Sequence, residues 1–459
     1  MSGTTVRGVK SGLVAAACAA ALLTAAGPAA AQGETVTVQG TAAPNTPPEL
    51  NRVFVTKFGP SNADRVLVLV PGTIGGAGNF TLIAEDIIAR VPNLQVWAVD
   101  RRSQALEDTT MFAQVVEGQA TVQQALDYYL GWILDPSIQP HFQPLDVSTV
   151  PFARDWGLEV ALEDLRNVVR EAHRGGREVI LGGHSLGAST AVAYATWGFG
   201  KRPGYRDIDG LVLIDGGLLG TFDAFNAAQA QEQLDTLDQQ PFADLLEVGI
   251  PEVTGLFAEV AALAARLDPT EQSIGQNSPL LPQQFNPGVP VTNRGLLGYA
   301  LDDQTSPADL SLIHVNAGQL AASGDPRDWQ DGEVTPIARL AATLGQEPVN
   351  SVEWYFPLRL TIDVNGADRL KRNDVTKLLG LRTFHLADVD LPVYAVETSL
   401  AGGDVLKGAR HFIKKSSSRR KDAKLVDASS TMAHLDPLTA APETNEFLET
   451  VVPFLKRLK

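Results

Sequence analysis

Ser185 stands in the pentapeptide Gly183-His184-Ser185-Leu186-Gly187, which has the pattern G-x-S-x-G. The short apolar run Val179-Ile180-Leu181 precedes it, and a helix-like stretch, Ala188 to Trp197, follows. A serine on a sharp strand-to-helix turn is how a nucleophile is presented to an acyl carbonyl. The turn strains the serine backbone, and flanking glycines remove the Cβ atoms that would clash. The helix that follows places a positive end where negative charge develops during acyl transfer. A serine nucleophile also needs a base. Seven histidines are available: His141, His173, His184, His314, His385, His411 and His434. A second glycine cluster, Pro71-Gly72-Thr73-Ile74-Gly75-Gly76, follows the apolar run Val66–Val70. No Gly-Lys-Ser/Thr comes after it, which argues against a phosphate-cradling loop. There is no H-E-x-x-H and no Asp-rich calcium loop, so neither a metal nor a cofactor is expected.

These residues need a scaffold, and the chain alternates strand and helix signals from Val53 onward. Val53-Phe54-Val55, Val66–Val70, Leu94–Val99, Val179–Leu181 and Leu211–Ile214 read as strands. Continuous apolar runs of this kind suit strands buried on both faces. Phe80–Ala89 and Trp156–His173 read as amphipathic helices, the second ended by Gly175-Gly176. Residues 103–155, with Pro136, Pro140, Pro144 and Pro151, read as an irregular excursion containing one helix near Val122–Leu130. The alternation stops over 219–385, where helix-like segments at Ala224–Leu237 and Glu252–Leu267 precede a strand-like alternation at Trp354, Phe356, Leu358 and Leu360. It resumes with a strand at Pro392–Val396, a helix at Val405–Lys415, a strand at Lys424–Val426 and a final helix at Glu443–Leu458. The expected fold is therefore α/β: a mostly parallel sheet with helices on both faces and a large, mainly helical insertion. Its parts are a core in two pieces, 51–218 and 386–459, with 219–385 as a cap or lid. Ligands of open α/β sheets bind at the strand C-terminal edge, which such an insertion would cover.

The elbow, its flanking elements and the glycine-rich strand end resemble the α/β-hydrolase superfamily, over most of the chain outside 219–385. The G-H-S-L-G form resembles that of secreted lipases and esterases. The resemblance implies a serine hydrolase, with a carboxylic ester as first substrate choice and an amide, peptide or lactone as second; the alternative class is a non-catalytic binding protein that retains the elbow. It implies an oxyanion hole of two backbone N–H groups, one from Leu186 and one from the loop after Val66–Val70. The second donor is assigned to Thr73, with Ile74 as the neighbouring choice, because this chain has Pro-Gly where many relatives have His-Gly. The family order of nucleophile, acid and base selects His434, which alone among the histidines lies between the last strand and the last helix. The acid is either Asp215, after the strand Leu211–Ile214, or Glu397, after the strand Pro392–Val396. Asp215 is preferred, because glycines follow it and leave room for an imidazole. Asp436 reads as a turn or cap residue. Asp100-Arg101-Arg102, at another strand end, either shapes the pocket or makes a surface turn.

The N-terminus carries Arg7 and Lys10, an apolar run from Gly12 to Ala26 and an Ala29-Ala30-Ala31 cleavage pattern. Residues 1–31 therefore read as a secretory signal peptide, and the expected location is extracellular or periplasmic. The run is too short for a good bilayer span, and no other apolar run is long enough. The only cysteine, Cys18, lies in this segment, so the mature chain would have no disulfide. Residues 32–50, rich in Gly, Pro, Thr and Ala, read as a flexible lead-in. The formal net charge of −16, which becomes −18 without Arg7 and Lys10, disfavours nucleic acid as a partner. The basic run Lys414-Lys415 and Arg419-Arg420-Lys421 reads as a solvated loop. The expected partner is a small-molecule or lipid-like acyl substrate.

Overall fold

The computed structural model describes residues 33–223, 225–247, 249–345 and 351–458. The expected signal peptide, including Cys18, lies outside them. Eight strands form one sheet: β1 Glu34–Gln39, β2 Arg52–Phe58, β3 Arg65–Val70, β4 Leu94–Asp100, β5 Glu178–His184, β6 Gly210–Ile214, β7 Val393–Glu397 and β8 Ala423–Asp427. Their spatial order is β1-β2-β4-β3-β5-β6-β7-β8. From β4 to β8 every pair is parallel, while β1·β2 and β2·β4 are antiparallel.

Side-chain alternation explains why the apolar runs became central strands. Val66, Val68 and Val70 of β3 face one core, together with Val179 and Leu181 of β5 and Leu211 and Leu213 of β6. The helices Leu158–Ala172, Leu186–Thr196 and Asp404–Lys415 cover that face. Leu67, Leu69, Ile180, Val212 and Ile214 point the other way, onto the helices Thr81–Ile88 and Glu446–Arg457. Successive residues of a strand point to opposite faces, so a sheet covered on both sides needs an unbroken apolar run. The sequence between β6 and β7 contains the helices Ala227–Thr236, Val253–Leu267, Asn293–Leu301, Ile337–Leu344, Leu358–Ala367 and Asp374–Leu379.

Two expectations are corrected. The lead-in 32–50 is not merely a linker, because Glu34–Gln39 pairs with all but the last residue of β2 as the sheet's edge strand. Its Val36 and Val38 pack against the core, so the alternating Thr and Val residues outweigh the glycine and proline around them. The stretch from Trp354 is not a strand. Trp354, Tyr355 and Phe356 are consecutively buried, which period-two alternation on a half-exposed strand does not allow. Pro357 then opens the helix Leu358–Ala367.

Candidate active site

β5 ends in the elbow. Ser185 has φ 54° and ψ −125°, and it is the residue from which the helix Leu186–Thr196 starts. Its N–H donates to Ile214 O at 2.8 Å, and its carbonyl accepts from Ala188 N–H at 3.0 Å. The turn is held from both sides, which keeps a non-glycine residue in the left-handed region. Gly187 is required by close approach, since a Cβ there would collide with the carbonyl oxygen of Val70. Gly72 passes so near Ser185 that a Cβ on it would lie 2.9 Å from the serine Cβ. Among the described non-glycine residues with positive φ are Ile74 (51°) and Asp215 (47°) as well as Ser185. Three of the eight such residues thus lie at this site, and for β-branched Ile74 the geometry is a true outlier.

His434 lies between β8 and the short helix Asp436–Thr439, as the sequence order suggested. Its Nδ1 is 2.5 Å from Asp215 Oδ2. Both side chains are essentially buried, at 2% and 0% exposure. Thr398 donates its N–H to Asp215 Oδ1 at 2.8 Å and its hydroxyl to Oδ2. Burial would raise the Asp215 pKa, but the His434 and Thr398 hydrogen bonds and the imidazole charge more than offset this, and the carboxyl sits below its ordinary value. An ionised Asp215 fixes the proton of His434 on Nδ1 and leaves Nε2 with a free lone pair.

Glu397, the alternative acid, points elsewhere. Its carboxylate accepts the N–H groups of Gly403 and of Leu406, the latter at 2.6 Å. It therefore serves the N-terminal turn of the helix Asp404–Lys415. Asp436 does act as a turn residue. It accepts from Ala433 N–H (2.7 Å), Asn316 N–H (3.1 Å) and the Thr335 hydroxyl (2.6 Å), which secures the His434 loop. Burial pushes its carboxyl up to about 7.

His184 was legible only as part of the elbow. Its Nε2–H donates to His434 O at 2.9 Å, and the two rings lie 4.3 Å apart between centroids. Burial, and then the neighbouring His434 charge, push its pKa down to about 3. His184 is thus a neutral spacer that sets the height of His434. Thr398 gave no sequence signal beyond its place after a strand.

A cavity of about 70 Å³ opens here, lined by Gly72, Thr73, Ser185 and His434 among others. No hydrogen bond joins the Ser185 hydroxyl to the His434 ring among the described residues. Catalytic hydrogen bonds are often longer before a substrate binds. Leu186, the first residue of its helix, has no intrahelical acceptor for its N–H. Neither the Thr73 nor the Ile74 N–H makes a hydrogen bond among the described residues.

The Asp100-Arg101-Arg102 triplet is mostly interior. Arg102 makes a buried ion pair with Asp164 at 2.7 Å. Arg101 lies under the glycine loop and donates to Pro71 O (2.5 Å), Gly72 O (3.0 Å), Gly75 O (3.4 Å) and Glu353 Oε2 (2.6 Å). Glu353 returns its own N–H to Ile74 O at 2.7 Å. Asp100 accepts from Ala77 N–H at 2.5 Å and from Gln104 at 2.8 Å, and burial raises its carboxyl to about 8.

A family model described as the alpha/beta hydrolase family matches residues 67–412. Among solved structures, a candidate lipase from Sulfolobus solfataricus is 12% identical, covering 93% of this chain and 94% of its own, with a TM-score of 0.46. A lipase in an open form is 13% identical over 92% and 99%, with a TM-score of 0.45. Epoxide hydrolase A from Mycobacterium thermoresistibile is 13% identical over 93% and 99%, with a TM-score of 0.43. Comparison with curated protein sequences gives no match. No helix among the described residues is long and apolar enough to cross a membrane.

Proposed function

The chain belongs to the alpha/beta hydrolase family, and from that premise we propose that it is a secreted serine hydrolase that cleaves carboxylic esters through an acyl-enzyme on Ser185. The observation that carries this reading is the buried 2.5 Å contact between His434 Nδ1 and Asp215, beside a strained serine that shares one cavity with His434. In this reading His434 Nε2 takes the Ser185 proton as Oγ attacks the ester carbonyl. The oxyanion meets the N–H groups of Thr73 and Leu186. His434 then returns the proton to the departing alkoxide, and the acyl group stays on Ser185. Water then attacks the acyl carbon as His434 takes its proton, and His434 passes that proton to Ser185 Oγ as the acid is released. Asp215 holds the imidazole in the required tautomer and stabilises its positive charge.

Residues 219–385 act in this proposal as a cap, since Thr254, Ala258, Leu301 and Ile313 line the same cavity. Export follows from residues 1–31 and is checked by N-terminal sequencing of protein recovered outside the cell, which should begin at Gln32. The activity is tested by hydrolysis of p-nitrophenyl esters. The wild-type chain turns them over and Ser185→Ala does not. Equal rates in the two proteins contradict the assignment; a folded wild type that cleaves amides, peptides or lactones but no ester contradicts the ester, and one inert to all of them is a binding protein instead.

A further inference from the structure

Behind the Ser185 cavity lies a second one, of about 110 Å³. The two share Thr254, Ala258, Leu301 and Ile313, so they are consecutive compartments of one space. No charged side chain is among the described residues that line the inner compartment, which sits between the helices Val253–Leu267 and Asn293–Leu301. Its inner wall includes Ala261 and Phe285. We propose that this compartment holds the acyl chain of the substrate, making the enzyme selective for esters of hexanoyl to octanoyl length; this rests on the ester-hydrolase reading above. An apolar cavity of about 150 Å³ accommodates six-carbon benzene. At about 110 Å³ the inner compartment takes about four carbons on the same scale, and the ester group with the first carbons of the chain occupies the Ser185 compartment of about 70 Å³. Each methylene moved from water into such a site multiplies kcat/KM about fourfold.

The test is a p-nitrophenyl series from acetate to dodecanoate, run on wild type, Ala261→Leu and Ala261→Phe. Wild type should rise steeply from acetate to hexanoate or octanoate and then fall. The variants should move the optimum to shorter chains, Phe further than Leu. A flat profile, or an optimum that neither variant moves, overturns the proposal while leaving the hydrolase reading intact. Should no ester be cleaved, the ester-hydrolase reading fails, and calorimetric octanoate binding to Ser185→Ala decides the cavity by itself. Binding weakened at least tenfold by adding Ala261→Phe supports it, and absence of binding overturns it.

A different observation carries a second inference. Arg101 collects the carbonyls of Pro71, Gly72 and Gly75, and Glu353 collects that of Ile74. In a trans peptide the C=O of one residue and the N–H of the next point in opposite directions. A Gly72 carbonyl aimed at Arg101 therefore turns the Thr73 N–H away from Arg101, and Thr73 lines the Ser185 cavity. We infer that the Arg101–Glu353 pair is the positioning element of the oxyanion loop, again on the hydrolase reading. Lysine has one ammonium and cannot serve three carbonyls and a carboxylate in this planar fork, yet it keeps Glu353 neutralised. A misplacement of about 1 Å in a catalytic group costs up to ~100-fold. Arg101→Lys should lower kcat ten- to hundredfold with KM within about twofold, and fluorophosphonate labelling should slow equally. Arg101→Gln, which leaves the carboxylate without its cation, should lose more. A folded Arg101→Lys protein whose melting temperature falls while kcat stays within twofold of wild type overturns the inference.

Discussion

Asp215→Asn keeps the shape of the side chain and removes its charge, and the site dictates what the amide must do. The native carboxylate receives three donors: the Thr398 N–H on Oδ1, and the Thr398 hydroxyl and His434 Nδ1–H on Oδ2. An amide has one acceptor oxygen. If its nitrogen took the Oδ1 position it would face the Thr398 N–H and leave a buried donor unpaired, at about 1–3 kcal/mol. With nitrogen at Oδ2 the N–H of Thr398 stays satisfied, and the Thr398 hydroxyl can turn to accept. The amide then donates to His434 Nδ1, so the imidazole proton moves to Nε2 and no lone pair is left to take the Ser185 proton. The same exchange in a serine protease lowers kcat about 10⁴-fold, or about 5 kcal/mol of barrier, and the proposed mechanism expects a loss of that order. The assay is steady-state kinetics on p-nitrophenyl hexanoate, with melting temperature as the fold control. KM should change little. A loss in kcat below tenfold, in a protein with an intact melting transition, refutes the tautomer argument and the choice of Asp215.

Other perturbations separate the roles further. Glu397→Gln sets an amide nitrogen against one of the two N–H groups that the carboxylate accepts, so it should cost about 1–3 kcal/mol of stability and leave kcat within about threefold, read by denaturant titration and kinetics. Because the Asp215 carboxyl sits below its unfolded value, its stabilising contribution is complete above the ordinary aspartate pKa of 3.8 and disappears as pH falls through the lower folded value. Asp215→Asn should accordingly flatten the acid limb of the stability curve. Asp100 has the opposite sign: raised to about 8, it binds a proton in the fold that the unfolded chain has already released, so stability falls as pH rises from 3.8 toward 8. Asp100→Asn, which can still accept from Ala77, should raise the melting temperature more at pH 8 than at pH 5. Gly187→Ala should fail to fold or melt far below wild type, because its new methyl meets the Val70 carbonyl.

Much of this site was legible because its chemistry imposes local sequence costs. The glycines around Ser185 are there because backbone passes against backbone. The apolar runs mark strands that the helices cover on both faces. For the partner of His434 the sequence left two carboxylates, with Asp215 preferred, and the register explains why both stood. Ile214 of β6 pairs with Val396 of β7, so Asp215 and Glu397 stand one step beyond matched positions on neighbouring strands. Their positions match, and the glycines after Asp215 are the local difference between them. What separates them is direction, set by the positive φ of Asp215 and by the helix start that takes up Glu397. Thr398, His184, Arg101 and Glu353 contribute through contacts between residues far apart in sequence, which no local spacing encodes. β1 was overlooked because two valines and two threonines in alternation lay inside a stretch dominated by turn-forming residues.

The central claim is that Ser185 is an activated nucleophile. Incubating the folded chain with a fluorophosphonate, digesting it and locating the adduct by mass spectrometry tests that most directly. The account predicts one stoichiometric adduct, on Ser185, absent in Ser185→Ala and greatly slowed in Asp215→Asn. A folded protein that takes up no label, or takes it up on another residue, contradicts it.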